Sequence, residues 1–254
     1  MNTVQDIFDT LCGIAPLELQ MDFDNAGFLV GHLDQQLDTV LLALDITDAV
    51  IDEAIAEGAQ LIVAHHPVIW DPLKSLTSNG DGAKVLRLAE NHISAICMHT
   101  NLDITEGGVN DVLMQKLGGE VDGYLDAEHC GRFGHLPQSV SLDDFLKRCK
   151  NVLQTNGLRY CDAGRPVHRL AVMGGAGSDD IEDAARLGCD TYVTSDIKYH
   201  QFQRAAELGI NLIDADHFCT ENPVIPVVAE QLRQQYPEIR ILVSRVHRQL
   251  IRFF

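Results

Sequence analysis

Short apolar, β-branched runs alternate along the chain with longer stretches whose apolar positions recur at helical spacing. Val40–Leu44, Leu61–Ala64, Ile93–Met98, Leu170–Met173, Thr191–Thr194, Asn211–Ile213 and Ile239–Val243 read as strands. Between them, Asp48–Glu57, Ala83–Glu90, Val109–Leu117, Asp179–Leu187, Gln201–Leu208 and Val227–Gln235 read as helices. Strands alternating with helices in this way are the sequence form of βαβ units, so the expected class is α/β with mostly parallel sheets. Glu120–Pro166 is less regular and carries one amphipathic segment, Leu142–Leu153. It reads as a connecting region.

The pattern also repeats. Asp52–Val63 lies over Glu182–Val193, each a helix, a glycine stop and a strand, and Arg87–Glu90 with Ile93 and Ile96 lies over Arg204–Glu207 with Ile210 and Ile213. The second match runs at a shorter offset, and the difference equals the length of Trp70–Gly82, which reads as a loop inserted in the first half. Any two helix–strand units share a glycine C-cap, so the match alone is modest. The expected organisation is two similar α/β lobes, residues 1–125 and 126–254, with 126–166 as the connection.

Polar residues collect at the ends of the repeated strands. His65 and His66 end one strand, and His99 and Asp103 follow its neighbour. Ser195 and Asp196 end the corresponding strand of the second half, and Asp214, Asp216, His217 and Glu221 follow its partner. Ligands of open α/β sheets bind beyond the carboxyl ends of strands. Imidazoles and carboxylates gathered there suit a divalent transition metal. Each piece has a plainer explanation: a histidine pair closing a strand, Asp103 capping a turn ahead of Gly107, His217 and Glu221 sharing one face of a solvated helix. Pro223 and Pro226 argue for a short or irregular turn at that last position. The joint placement of all four groups is what favours the metal.

Composition narrows the function classes. The 254 residues are 46% hydrophobic and 22% charged, ordinary for a chain able to bury a core. Nineteen basic against 37 acidic residues give a net charge of −18, which disfavours non-specific binding to nucleic acid or anionic lipid. The stretch Arg245–Phe254 is the most basic, but three arginines are too few for a nucleic-acid arm, and Ile251, Phe253 and Phe254 point instead to packing on a sheet edge or a subunit contact. Seven scattered cysteines without a CxxC pair read as reduced thiols. No basic-apolar leader and no apolar run of about 20 residues is visible, so a cytoplasmic protein with no membrane attachment is expected.

Four motifs, taken together, are specific. Ala64-His-His-Pro67, His99-Thr-Asn-Leu-Asp103, Thr194-Ser-Asp-Ile-Lys-Tyr-His200 and Asp216-His-Phe-Cys-Thr-Glu221 resemble the NIF-three-like family, as does Asp22-Phe-Asp-Asn-Ala-Gly-Phe-Leu-Val-Gly31. Bacterial members of that family carry the name GTP cyclohydrolase I type 2 homologue. The resemblance covers nearly the whole chain and matches the compact form, without the middle domain of longer members. It implies two divalent ions held by His65, His66, Asp103, His217 and Glu221, with Glu221 bridging, His66 and Asp103 on one ion, and His65 and His217 on the other. It also implies a toroidal homohexamer. Fe, Mn, Zn and Ni all suit such a donor set.

Two ions with open coordination positions suit metal-assisted hydrolysis of a phosphoryl, amide or ring-carbon centre in a small nucleotide-like substrate. Tyr199 and His200 are candidates to orient substrate or move a proton, or else pack on the sheet edge. His99 is placed to orient a ligand. Gly174–Ser178 sits where a phosphate cradle would lie, yet Asp179, Asp180 and Glu182 would repel an anion; a tight turn with Ser178 as N-cap fits better. The competing readings are a non-enzymatic metal-binding assembly or interaction protein and, against the net charge, processing of nucleic-acid ends.

Overall fold

A computed structural model describes residues 2–254. The chain divides into two compact units: residues up to Thr105 together with Ile225–Arg248, and Glu106–Val224 together with Gln249–Phe254.

The first unit opens with α1 (Val4–Ile14), whose start is fixed by a reciprocal cap in which Thr3 and Asp6 satisfy each other's backbone N–H. There follow β1 (Gly27–Val30), β2 (Thr39–Ala43), α2 (Asp48–Glu57), β3 (Leu61–Ala64), α3 (Ala83–Glu90), β4 (Ser94–Cys97) and α4 (Thr100–Ile104). Thr47 caps α2 by accepting from the N–H of Val50, and Gly58 stops it in the left-handed conformation (φ 67°), which turns the chain directly into β3.

The second unit holds α5 (Val109–Lys116), β5 (Glu120–Tyr124), β6 (Arg132–Val140), α6 (Leu142–Leu153), β7 (Arg159–Cys161), β8 (Val167–Val172), α7 (Ile181–Arg186), β9 (Thr191–Thr194), α8 (Tyr199–Leu208), β10 (Asn211–Asp214) and α9 (His217–Glu221). The chain then returns to the first unit as α10 (Val224–Gln235) and β11 (Arg240–Val243).

The first sheet runs β1-β4-β3-β2-β11. Its last four strands are parallel and β1 is antiparallel to β4. Strands β2, β3 and β4 are buried along their whole length, which is why they read as unbroken apolar runs rather than alternations. Leu41, Ile62 and Ala95 pack there with Val50, Ile51 and Ala54 of α2 and Val85 and Leu88 of α3. The second sheet runs β5-β6-β8-β9-β10-β7, parallel through β8, β9 and β10 and antiparallel toward both edges. The α/β class expected from the alternation stands.

Three expectations change. The supposed connection is sheet: Glu120–Pro166 supplies β5, β6 and β7 as well as α6. Strands β5 and β7 are edge strands, mostly exposed, so they lack the apolar run that marks a buried strand. The helix read over Asp179–Leu187 begins as a 3₁₀ turn, Ser178–Asp180, and only then becomes α7. Compared with a division at 125/126, the first unit ends at Thr105 and takes back α10 and β11, because β11 pairs in parallel with β2.

Candidate metal centre

In the first unit, parallel pairing of β2, β3 and β4 brings the residues that follow these strands to one end of the sheet. His65 is fully buried. Its Nδ1 lies 2.8 Å from the carbonyl oxygen of Met98. A carbonyl only accepts, so Nδ1 carries the proton and Nε2 is the basic nitrogen. Nε2 stands 3.6 Å from Oδ1 of Asp103, a buried residue of α4. The thiol of Cys97 donates to the His65 carbonyl at 2.7 Å, and burial pushes that thiol's pKa well up. The Cys97 thiol is thereby kept protonated.

The neighbouring imidazoles are oriented by carboxylates. His66 Nδ1 donates to Asp45 Oδ1 at 2.7 Å, and the other oxygen of Asp45 lies 3.1 Å from Nε2 of His247. Burial would raise the Asp45 pKa, but hydrogen bonds from His247 and His66 hold it well below the usual carboxylate range. His99 Nδ1 donates to Asp24 Oδ1 at 2.8 Å, while Oδ2 of Asp24 accepts from the Thr100 amide at 2.9 Å and from its hydroxyl. Here too burial opposes, and the hydrogen bonds from His99 and Thr100 bring the pKa down to about 2. The rings of His65, His66 and His99 lie 5.0–5.5 Å apart, and the three offer ligand atoms within 4.8 Å of one another.

In the second unit, Asp216 caps α9 by accepting from the Cys219 amide at 3.2 Å. That turn sets His217 and Glu221 on one face, with Nε2 and Oε2 3.0 Å apart, as the i, i+4 spacing suggests. His217 Nδ1 donates to Asp196 Oδ2 at 2.7 Å. Burial would lower the imidazole pKa, but the two carboxylates outweigh it and push it up to about 11. Two acids around one ring make this a place that favours positive charge.

The glycine turn shapes the same spot. Gly175 (φ 66°) comes so close to the pair that a Cβ there would fall 2.1 Å from Glu221 Oε1 and 3.2 Å from His217 Nε2. The amides of Gly174, Gly175 and Gly177 donate to Asn110 Oδ1 at 2.7 Å, Thr220 Oγ1 at 3.0 Å and Thr194 Oγ1 at 3.0 Å. They are spent inside the protein, so the turn is no phosphate cradle. Nor is Ser178 an N-cap: it lies buried in the 3₁₀ turn, and no side chain caps either that turn or α7.

Tyr199 and His200 form the first turn of α8, after the Ser195–Asp196 strand end, and both are exposed, Tyr199 by 78%. They do not pack against the sheet edge. Asp214 turns to Arg159 and to the Ile197 amide instead of joining His217. Asp24 and Asp45 were not singled out by sequence reasoning, and Asp196 only as a strand end. Asp45 could have been found, since it follows β2 at the end of the sheet where His65 follows β3. Asp24 lies inside the Asp22–Gly31 motif.

Known proteins share this framework. The family model described as Duf34/NIF3 (NGG1p interacting factor 3) matches residues 2–249. Among curated relatives, the GTP cyclohydrolase 1 type 2 homolog of Clostridium acetobutylicum is 34% identical over 238 residues, covering 90% of this chain and 89% of the relative. The homolog from Nostoc sp. is 39% identical over 202 residues, 76% and 77% of the two chains. Among solved structures, a Bacillus cereus protein related to NIF3 superposes with a TM-score of 0.92 at 25% identity, covering 100% of this chain and 99% of its own. Reduced HcgD from Methanocaldococcus jannaschii gives 0.84 at 30% identity, with 96% and 98% covered. The motifs at both clusters, the sheet orders and a match spanning nearly every residue have one common source: the chain belongs to the Duf34/NIF3 family.

Proposed function

We propose that this protein is a metal-dependent hydrolase of a small nucleotide-like or related substrate, with two divalent ions held by His65, His66, Asp103, His217 and Glu221. One observation carries the reading. Each of these three histidines spends Nδ1 on a carboxylate or a carbonyl, which fixes its ring and leaves Nε2 as the ligating nitrogen. Orientation of this kind is unnecessary for a solvated histidine.

The donors fit hard or borderline divalent ions: imidazole nitrogen and carboxylate oxygen, with the Cys97 thiol held neutral. The bare glycine edge at Gly175 keeps room beside Glu221. Asp103 stands against His65, and both would be ligands of the centre. Glu221 bridges. Bound ions supply Lewis acidity and lower the pKa of water. The chain's own part is to orient the ligands through Asp45, Asp196 and the Met98 carbonyl. Tyr199 and His200, exposed beside the Asp196 strand end, are the residues assigned to orient substrate or move a proton. The homohexamer belongs to the same proposal, with the exposed Leu250, Ile251 and Phe253 as a candidate subunit contact.

Elemental analysis of the purified protein, followed by turnover on phosphoester, amide and GTP substrates, tests the reading. Two ions per chain and turnover abolished by His65→Ala and Glu221→Ala are expected. Bound metal without turnover on any substrate would favour a metal-binding assembly instead. Light scattering should give six times the 28.0 kDa chain mass.

A further inference from the structure

Beside the histidine cluster of the first unit, two large aromatic side chains stand open to solvent. Trp70 is 52% and Phe23 64% exposed, with ring centroids 6.2 Å apart and planes tilted by 46°. Trp70 also meets His99 edge-on at 5.5 Å. The core does not require this exposure. Val68, Ile69 and Leu73 of the same loop pack against the core of the first unit, while Trp70, between them in sequence, is turned outward. The two loops are tied together by Asn25 Nδ2, which donates to the Ile69 carbonyl at 2.7 Å. A cavity of about 780 Å³ adjoins Trp70, lined among others by Lys74 and Lys84 and by Asp71 and Asp81. That is the size range of small-molecule sites. Its two cations and two anions select no net charge, so recognition falls to the aromatic surface.

We propose that Trp70 and Phe23 form a binding site for the planar heteroaromatic ring of a small molecule, seated on the open face of Trp70 with Phe23 as a side wall. The tilt and the 6.2 Å spacing exclude a ring sandwiched between the two, which needs parallel faces about twice a stacking distance apart. Trp70 itself meets His99, and His65 and His66 lie one ring further on. The rest of the molecule occupies the adjoining cavity. This deepens the hydrolase reading by naming the substrate's recognition element, and it rests on that reading only for calling the ligand a substrate.

Trp70 is the chain's single tryptophan, so its fluorescence reports this site alone. The test titrates guanosine 5′-monophosphate, with ribose 5-phosphate as the ringless control, into chelator-treated and metal-loaded protein. Saturable quenching by the nucleotide in both states, and none by the control, is expected. Phe23→Ala should weaken the nucleotide about 5- to 100-fold, and Trp70→Leu similarly by equilibrium dialysis, with melting temperatures unchanged. Absence of quenching, equal quenching by ribose 5-phosphate, or undiminished binding by both variants would overturn the site. Metal content and turnover are read separately: quenching by a protein that takes up no ion even when metal is supplied would sink the hydrolase reading and leave this site standing.

Discussion

At the scale of single residues, the carboxylates behind the histidines matter as much as the histidines. Asp45 fixes His66 at 2.7 Å without being a proposed ligand itself. Asp45→Asn should leave the fold intact and weaken metal retention about 10- to 100-fold, measured by competition with a chelator. A different carboxylate adds a pH-dependent contribution to stability. Asp180 is half-buried, and burial, then the charges of Asp126, Asp183, Asp179 and Glu128, raise its pKa to about 6. A pKa above the unfolded value of 3.8 means that the folded state binds the proton more tightly. Its stabilising effect is complete below that value and is lost as pH rises through about 6. Asp180→Asn should therefore melt higher than the parent at pH 8 and equally at pH 4, as thermal scans at the two pH values would read.

At the scale of elements, burial decided what could be read. β3 and β9 were legible to the residue because both are buried throughout and bounded by glycine-stopped helices and polar strand ends. β5 and β7 were not, because an edge strand facing solvent needs no apolar pattern. α1 went unread although Thr3 and Asp6 signal its start. Candidate ligands were legible for the same reason as β3: strand ends announce them. Their orienting partners were not, since Asp24 is far from His99 in the chain and its hydrogen bond is a tertiary event. The contrast predicts stabilities. Ile62→Ala, in a strand paired on both sides and fully buried, should cost about 2–5 kcal/mol in urea denaturation. Tyr160→Ala, 51% exposed on β7, should stay within about 0.5–1 kcal/mol.

At the scale of the molecule, the two units are built from the chain in different ways. All six strands of the second sheet, β5 to β10, lie within Glu106–Val224. The first sheet needs β11 from the far end of the sequence to cover β2. A fragment of residues 106–224 should accordingly give a cooperative melt, whereas 1–105 should remain partly unfolded or aggregate, as circular dichroism and sedimentation would tell. The order in which a ribosome releases the chain turns this into a matter of timing. The strand translated earliest beside α2 waits with one raw edge until β11 is read, while the inserted half can finish first. Any nascent-chain escort this protein requires is needed for the exposed side of β2, and is needed until β11 has emerged.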